Sequence, residues 1–254
     1  MRSSQQALLR VLARSLLKTI DNGGMHKNIT VIVPTLAPCQ TLEALLGQLR
    51  AFGIDFIVVQ ASDGGVMADA DTEVEGGLWL QAPASRGGQI AAGIARCDSD
   101  WLWVLHDDSR LCEETAEQLL QVVQRGMPRW GRFAVRFHEG TLRLRVVAAF
   151  MNLRSRLSKI CTGDQGMFFH RQLLVLIDDF PVQPLMEDIE VSKRLKKTAD
   201  RQFLALTAPL VTSGRRWIEH GYVITILRMW RMRWHYFFGA SPATLFHQYY
   251  RRRG

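Results

Sequence analysis

The sequence predicts an α/β fold: a central, mostly parallel sheet flanked by helices, followed by a C-terminal amphipathic helical extension. Two observations carry this expectation. β-branched runs alternate with stretches of helical period from Asn28 onward, the pattern of a parallel sheet with helices on both faces. In addition, Trp101-Leu102-Trp103-Val104-Leu105 lacks apolar/polar alternation, as a strand covered on both faces requires. With 254 residues, 47% of them hydrophobic, the chain can bury a substantial core.

In order, Ile29-Thr30-Val31-Ile32-Val33-Pro34 reads as the first strand, and Leu42, Leu45, Leu46 and Leu49 repeat at helical spacing within a helix from Thr41 to Phe52. Phe56-Ile57-Val58-Val59 is a second strand running into Ala61-Ser62-Asp63-Gly64-Gly65, and a short strand at 78–80 precedes a helix after Arg86-Gly87-Gly88. The strand at 101–105 ends in His106-Asp107-Asp108-Ser109, and ligands gather at the carboxyl ends of such strands. A helix to about Arg125, a strand at 132–137 and a helix carrying Val146, Val147, Phe150, Leu153 and Leu157 follow. The polar loop Gly163-Asp164-Gln165-Gly166 precedes apolar Met167-Phe168-Phe169, and Pro181 and Pro184 bracket a turn before a helix that starts at Met186-Glu187-Asp188-Ile189-Glu190.

The net charge of +8 is uneven: residues 214–254 carry +7, residues 1–24 carry +3, and the intervening 25–213 carry −2. A near-neutral middle offers no basic face to a duplex, so nucleic acid is not expected as a partner. Basic ends rich in aromatic residues suit an anionic membrane surface. Residues 5–20 set Leu8, Val11, Leu12 and Leu16 against Arg10, Arg14 and Lys18 as a basic amphipathic helix, although Met25 ahead of the first strand is an equally good start. From Gly221 to Phe238, Val223, Leu227, Trp230, Trp234 and Phe237 oppose Arg228, Arg231 and His235. That helix suits either a membrane interface or a protein neighbour. Cys39, Cys97, Cys112 and Cys161 show no metal-ligand spacing, which makes a reducing cytosol the simpler home. No stretch approaches a spanning helix or a signal-peptide core.

Three groups could carry chemistry, each with a plainer reading. Asp107-Asp108 could bind Mg²⁺ or Mn²⁺, or Asp108 or Ser109 could cap the next helix. Glu187-Asp188 could supply a general base at a helix start, or only match the dipole there. Arg215-Arg216-Trp217 could grip a pyrophosphate, or form a solvated turn.

Together they resemble the inverting glycosyltransferases of family 2, with the GT-A fold, over roughly Ile29 to Pro242. Ile32-Val33-Pro34-Thr35-Leu36 resembles the opening strand and its nucleotide-contacting turn, Leu105-His106-Asp107-Asp108-Ser109 the D-x-D region, and Pro184-Leu185-Met186-Glu187-Asp188-Ile189-Glu190 the ED motif. Thr162-Gly163-Asp164-Gln165, Ser213-Gly214-Arg215-Arg216-Trp217, Trp130-Gly131-Arg132-Phe133 and 152–157 are similar to motifs of the bacterial radical-SAM/selenodomain-associated subgroup. Gln60 stands where the family has an acid contacting the base, with Asp63 as a substitute, and His106 replaces the first acid of D-x-D.

The resemblance implies transfer of a sugar, with inversion, from a UDP sugar to an acceptor hydroxyl that could be lipid-linked. Asp188 is the implied base, with Glu187 orienting it or the acceptor. Asp108 and His106 are the implied ligands of Mg²⁺ or Mn²⁺. The nucleotide sugar falls to Pro34, Thr35, Leu36, Gln60, Asp63, Arg86, Asp107, Arg215, Arg216 and Trp217, and the acceptor to Asp164 and Gln165. Implied divisions are 1–24, a catalytic domain over 25–213, and a helical region over 214–254 that closes the site. The implied location is the cytoplasm, peripherally on the inner face of the membrane; oligomeric state is not specified. A nucleotidylyltransferase could share the sheet, but Pro34-Thr35-Leu36-Ala37-Pro38-Cys39 lacks its glycine-rich loop. A membrane-bound scaffold without turnover is the other alternative.

Overall fold

The computed structural model describes residues 28–62 and 71–250; the helix expected over 5–20 and Asp63 lie outside the described residues. The elements run β1 (Ile29–Thr35), α1 (Gln40–Phe52), β2 (Asp55–Ser62), β3 (Thr72–Val74), β4 (Gly77–Pro83), α2 (Arg86–Ala95), β5 (Trp101–Val104), α3 (Glu113–Gln124), β6 (Trp130–Phe137), α4 (Leu142–Ser158), β7 (Met167–His170), α5 (Gln172–Val175), α6 (Glu187–Thr198), β8 (Phe203–Thr212), α7 (Arg215–His220), α8 (Tyr222–Phe237) and α9 (Pro242–Tyr250). One sheet takes the order β3-β4-β2-β1-β5-β7-β6-β8. β4, β2, β1 and β5 are parallel, β6 pairs parallel with β8, and β3 and β7 are the antiparallel members.

The absence of alternation in β5 has its expected cause. Trp101 and Trp103 pack into the cluster on one face of the sheet, with the leucines of α1. Leu102 and Val104 pack into the cluster on the other, with Ile90 and Ile94 of α2. At Gly93 a Cβ would stand 2.8 Å from Ile32 Cγ2, so a glycine lets α2 lie close on β1 and holds its N-terminus beside the strand ends. β8 is the longest element that the sequence reading does not contain. Its run Phe203-Leu204-Ala205-Leu206-Thr207-Ala208-Pro209 is interrupted by a proline, which argues against a central strand. β8 is an edge strand, and its register with β6 shifts just before Pro209, the setting in which proline is tolerated.

Beyond β8, α8 forms as the pattern over 221–238 predicts. Its Tyr222, Ile226 and Met229 pack against a cluster containing Leu144, Ala148 and Met151 of α4 and Trp217 of α7. Among the described residues no helix is long and apolar enough to cross a membrane.

Candidate functional site at the carboxyl ends of the strands

The turn after β5 does not cap a helix. α3 begins at Glu113, and its cap is Cys112 with Thr115 in a reciprocal box, so Asp107, Asp108 and Ser109 have other work. Asp107 Oδ2 accepts from the Thr35 hydroxyl at the end of β1, 2.8 Å away. Asp108 Oδ1 accepts from the Thr212 hydroxyl at the end of β8, 3.3 Å away. The turn is thereby tied to both halves of the sheet.

Arg86, the first residue of α2, lies between two sequence-distant groups. Its Nε is 2.9 Å from Glu187 Oε1 and its Nη2 is 2.7 Å from His106 Nε2. A guanidinium only donates, so Nε2 accepts and the imidazole proton sits on Nδ1. Burial, and then the charges of Arg86 and Arg216, hold His106 well below its ordinary pKa. The Nε2 lone pair that a cation would use is directed at Arg86 in this arrangement.

Glu187 and Asp188 open α6 after Met186, whose φ of 64° is left-handed. Such strain persists where surrounding contacts over-determine it, and here they do. Glu187 is held by Arg86, while Asp188 Oδ2 accepts from Gly163 N at 2.9 Å and Oδ1 from Ile189 N at 2.7 Å. Gly163 starts a single 3-10 turn, Gly163–Gln165, with a Thr162/Gln165 capping box. A Cβ on Gly163 would collide with Arg86 Nη2 and His106 Nε2. Gly163→Ala is therefore expected to cost about 1–3 kcal/mol of stability, the usual cost of overpacking. Urea denaturation measures it, and native-like stability would show that the turn yields easily.

Burial pushes the Glu187 carboxyl up to about 7, against the pull of Arg86 and with the push of Asp188. For a group raised on folding, the stabilisation is complete below its unfolded value, near 4.5, and is lost as pH rises through about 7. The stability of Glu187→Gln relative to the native chain should therefore rise between pH 5 and pH 8. Paired denaturation curves at the two pH values check this; a pH-independent difference would contradict it.

Burial, and then the carboxylates of Asp164 and Asp107, raise the pKa of Asp108, a concentration of negative charge that a divalent cation would relieve. Among the described residues no three His, Cys, Asp or Glu side chains form a ready cage. The donor set therefore fits a cation held through Asp108 and completed by phosphate oxygens and water, the usual arrangement for Mg²⁺.

Pro34 and Thr35 end β1 and exposed Leu36 follows it, and Gln60 sits beside Thr35 in the parallel register. Gln60 accepts from Trp79 Nε1 at 3.1 Å. Buried Gln89 donates to Thr35 O and Val59 O, at 2.9 and 2.7 Å, so α2 sets the geometry of this edge. Of the arginine pair, Arg216 lines a cavity of about 180 Å³ with Asp164, Trp217 and His220. Arg215, 81% exposed and 3.8 Å from Glu219, turns to solvent and is not part of this cluster. Gln165 is wholly buried, donating to Ser155 Oγ and Asn152 Oδ1 at 2.8 and 3.3 Å. It holds the 3-10 turn and does not face the cavity.

Two residues that sequence reasoning missed stand near Asp188: Arg154 of α4 and Arg233 of α8, each of which Asp188 influences electrostatically. Arg154 falls within the 152–157 motif with no role attached and Arg233 is not among the polar positions singled out on its helix; the packing of α8 against the α4 cluster sets both near the site. α8 is anchored by Tyr236, whose hydroxyl donates to Glu190 Oε2 at 2.7 Å.

No family model matches the chain and no curated protein does. Solved structures do. Residues 1–349 of S. aureus TarS superpose with a TM-score of 0.53 at 15% identity, covering 73% of this chain and 60% of that one, so the chain spans well under two thirds of that fragment. The same fragment in complex with UDP-GlcNAc also gives 0.53, at 14% identity over 74% of this chain and 59% of that one. Glucosyl-3-phosphoglycerate synthase from Mycobacterium tuberculosis, in complex with Mn²⁺, UDP-glucose and phosphoglyceric acid, gives 0.52 at 17% identity over 81% and 77% of the two chains. These likenesses define the fold, which is the GT-A fold that the resemblance implied.

Proposed function

We propose that the chain is an inverting glycosyltransferase of family 2, of the radical-SAM/selenodomain-associated subgroup, moving a sugar from a UDP sugar to an acceptor hydroxyl. The observation that carries this reading is the Asp188 carboxylate, fixed by two backbone N–H groups at a strained helix start beside the Arg86–Glu187 pair. TarS in complex with UDP-GlcNAc and the mycobacterial synthase with UDP-glucose support a donor of this kind.

In the transfer, the acceptor oxygen bonds to the anomeric carbon as the bond to the diphosphate breaks, and the acceptor proton passes to Asp188. Each Asp188 oxygen keeps a lone pair beyond its backbone bond. Glu187, ionised above about pH 7, holds Arg86, and Arg86 holds His106 and abuts Gly163, so the loop that donates to Asp188 is kept in place. Asp108 would hold Mg²⁺ or Mn²⁺, which supplies charge neutralisation at the leaving diphosphate. Arg216, acting on Asp108 and His106, adds positive charge on the same side. The product decides the reaction class: nucleoside diphosphate is expected with a UDP sugar, and pyrophosphate released from a nucleoside triphosphate would replace this reading with nucleotidyl transfer.

The acceptor is read as lipid-linked and the chain as peripheral on an anionic membrane. Arg143 of α4 lies over the Tyr222 ring of α8, 5.8 Å from its centroid, the first turns of both helices line one cleft, and eleven residues further along both helices Arg154 and Arg233 are within electrostatic reach of each other. The helices therefore run side by side in the same direction. The exposed stripe Val146, Phe150 and Leu153 lies one residue before the inward face of α4 (Val147, Met151, Arg154), and Leu227, Trp230 and Trp234 lie one residue after the inward face of α8 (Ile226, Met229, Arg233). At about 100° per residue, these opposite offsets turn both stripes to the same side. Segments 142–158 and 222–238 contain arginines and no acid. A second copy docked there about a two-fold axis would oppose arginine to arginine, whereas anionic headgroups match both the charge and the interfacial tryptophans. Flotation with phosphatidylcholine vesicles containing phosphatidylglycerol is expected for the native chain and lost in Phe150→Glu/Trp230→Glu; unaltered flotation of that variant would remove the two helices from the contact.

A further inference from the structure

We infer that Arg154 and Arg233 form an anion subsite beside Asp188 that takes a phosphate carried by the acceptor. This rests on the reading of Asp188 as the base that receives the acceptor's proton, since an anion bound next to that base belongs to the acceptor and not to the donor diphosphate on the Asp108 side.

The geometry comes from two helices that meet over the start of α6. The Tyr236–Glu190 hydrogen bond, 2.7 Å long, pins α8 to α6. Arg233 lies three residues before Tyr236 on the same face of α8, and Asp188 two residues before Glu190. On α4, Asn152 and Ser155 hold Gln165, and with it the turn that donates to Asp188, and Arg154, next to Ser155 in the chain, lies within electrostatic reach of that carboxylate.

Neither arginine has a carboxylate within salt-bridge distance among the described residues, where Arg86, Arg96 and Arg194 each have one. Arg154 Nη2 is buried with no hydrogen-bond partner. Burial, with Arg233 as the next cause, lowers the Arg154 guanidinium to about 10, and burial lowers Arg233 too. Two neighbouring half-buried cations, one with a buried, orphaned donor, are costly unless an anion satisfies them. Two guanidinium groups within electrostatic reach of each other on different helices suit a phosphate, which accepts bidentate hydrogen bonds. A lone acceptor hydroxyl would leave both charges uncompensated. A phosphate could arrive on a soluble ester or in a lipid headgroup at the outer faces of the same two helices.

The test uses the full chain, first saturated with UDP and Mn²⁺ to fill the donor side. Glycerol phosphate is titrated as the soluble source, glycerol as its uncharged control, and phosphatidylglycerol in phosphatidylcholine vesicles is compared with diacylglycerol in the same vesicles as the lipid source. Arg154→Gln and Arg233→Gln should each weaken binding of the phosphate probe by about tenfold or more, the loss that a pair of charge-assisted hydrogen bonds implies. Exposed Arg156→Gln on α4 should bind as the native chain does. Loss on glycerol phosphate alone assigns a soluble acceptor, and loss on phosphatidylglycerol vesicles a lipid one. Equal binding by all variants, an equal loss in Arg156→Gln, or phosphate binding that appears only when UDP is omitted would overturn the subsite. If UDP fails to bind but the two arginines still govern phosphate binding, the donor reading falls and the anion site stands.

Discussion

Asp188→Asn should abolish sugar transfer, with kcat down by about 10²–10⁴-fold, the range that a positioned base contributes, and with UDP-sugar affinity close to native. The amide is nearly isosteric, so one oxygen can still accept from a backbone N–H and the strained start of α6 survives. What it loses is the capacity to take the acceptor's proton. The expected separation of kcat from donor affinity is the informative feature, because a merely structural Asp188 would weaken both. Single-turnover release of UDP, alongside calorimetric binding of the UDP sugar, measures the two quantities independently. Unchanged turnover would remove Asp188 from the base role.

The second large effect is expected at Arg86. Arg86→Met should cost about 3–5 kcal/mol at pH 8, the penalty for leaving one member of a buried ion pair uncompensated, and it should also cripple turnover. Burial works against the Arg86 charge, yet Glu187, and then Asp188, Asp164 and Asp107, hold its guanidinium above its ordinary value. The same residue contacts Glu187 and His106 and abuts Gly163. Its removal strands Glu187, whose carboxyl already lies near 7, and Glu187 then takes a proton. The destabilisation should therefore be smaller at pH 5 than at pH 8, and Glu187→Gln added to Arg86→Met should recover part of it. Urea denaturation of the four forms at both pH values gives the coupling directly. Additive effects at both pH values would show that Arg86 and Glu187 do not act as a pair.

Much of this is legible in the sequence, for reasons that differ from residue to residue. β5 was readable because a strand buried on both faces has no need to alternate, and the acids that follow it were suspicious in company with Glu187, Asp188 and Arg216. The competing reading of Asp108 as a helix cap required the actual cap, Cys112, to be seen. β8 was hidden because Pro209 is permitted only by its edge position. Arg86 was taken for a nucleotide contact, and nothing in its local sequence says that residues 106, 163 and 187 surround it. His106 stands in an acid's place, which suggests a metal ligand, and the partner of its Nε2 is fixed only in three dimensions. That Gln165 is buried and Arg215 faces solvent is likewise not legible locally: sequence proximity to a motif does not determine which way a side chain turns. Arg154 and Arg233 have equal spacing from Arg143 and Tyr222, a regularity that means something only once α4 and α8 are known to lie side by side.

Calorimetric titration with a panel of nucleotide sugars, with and without Mn²⁺, on the native chain and on Asp108→Asn, tests the central claim most directly. A UDP sugar is expected to bind more tightly with Mn²⁺ than without, and the Mn²⁺ effect is expected to vanish in Asp108→Asn while metal-free affinity persists. Failure of every nucleotide sugar to bind, with or without the metal, would contradict the account.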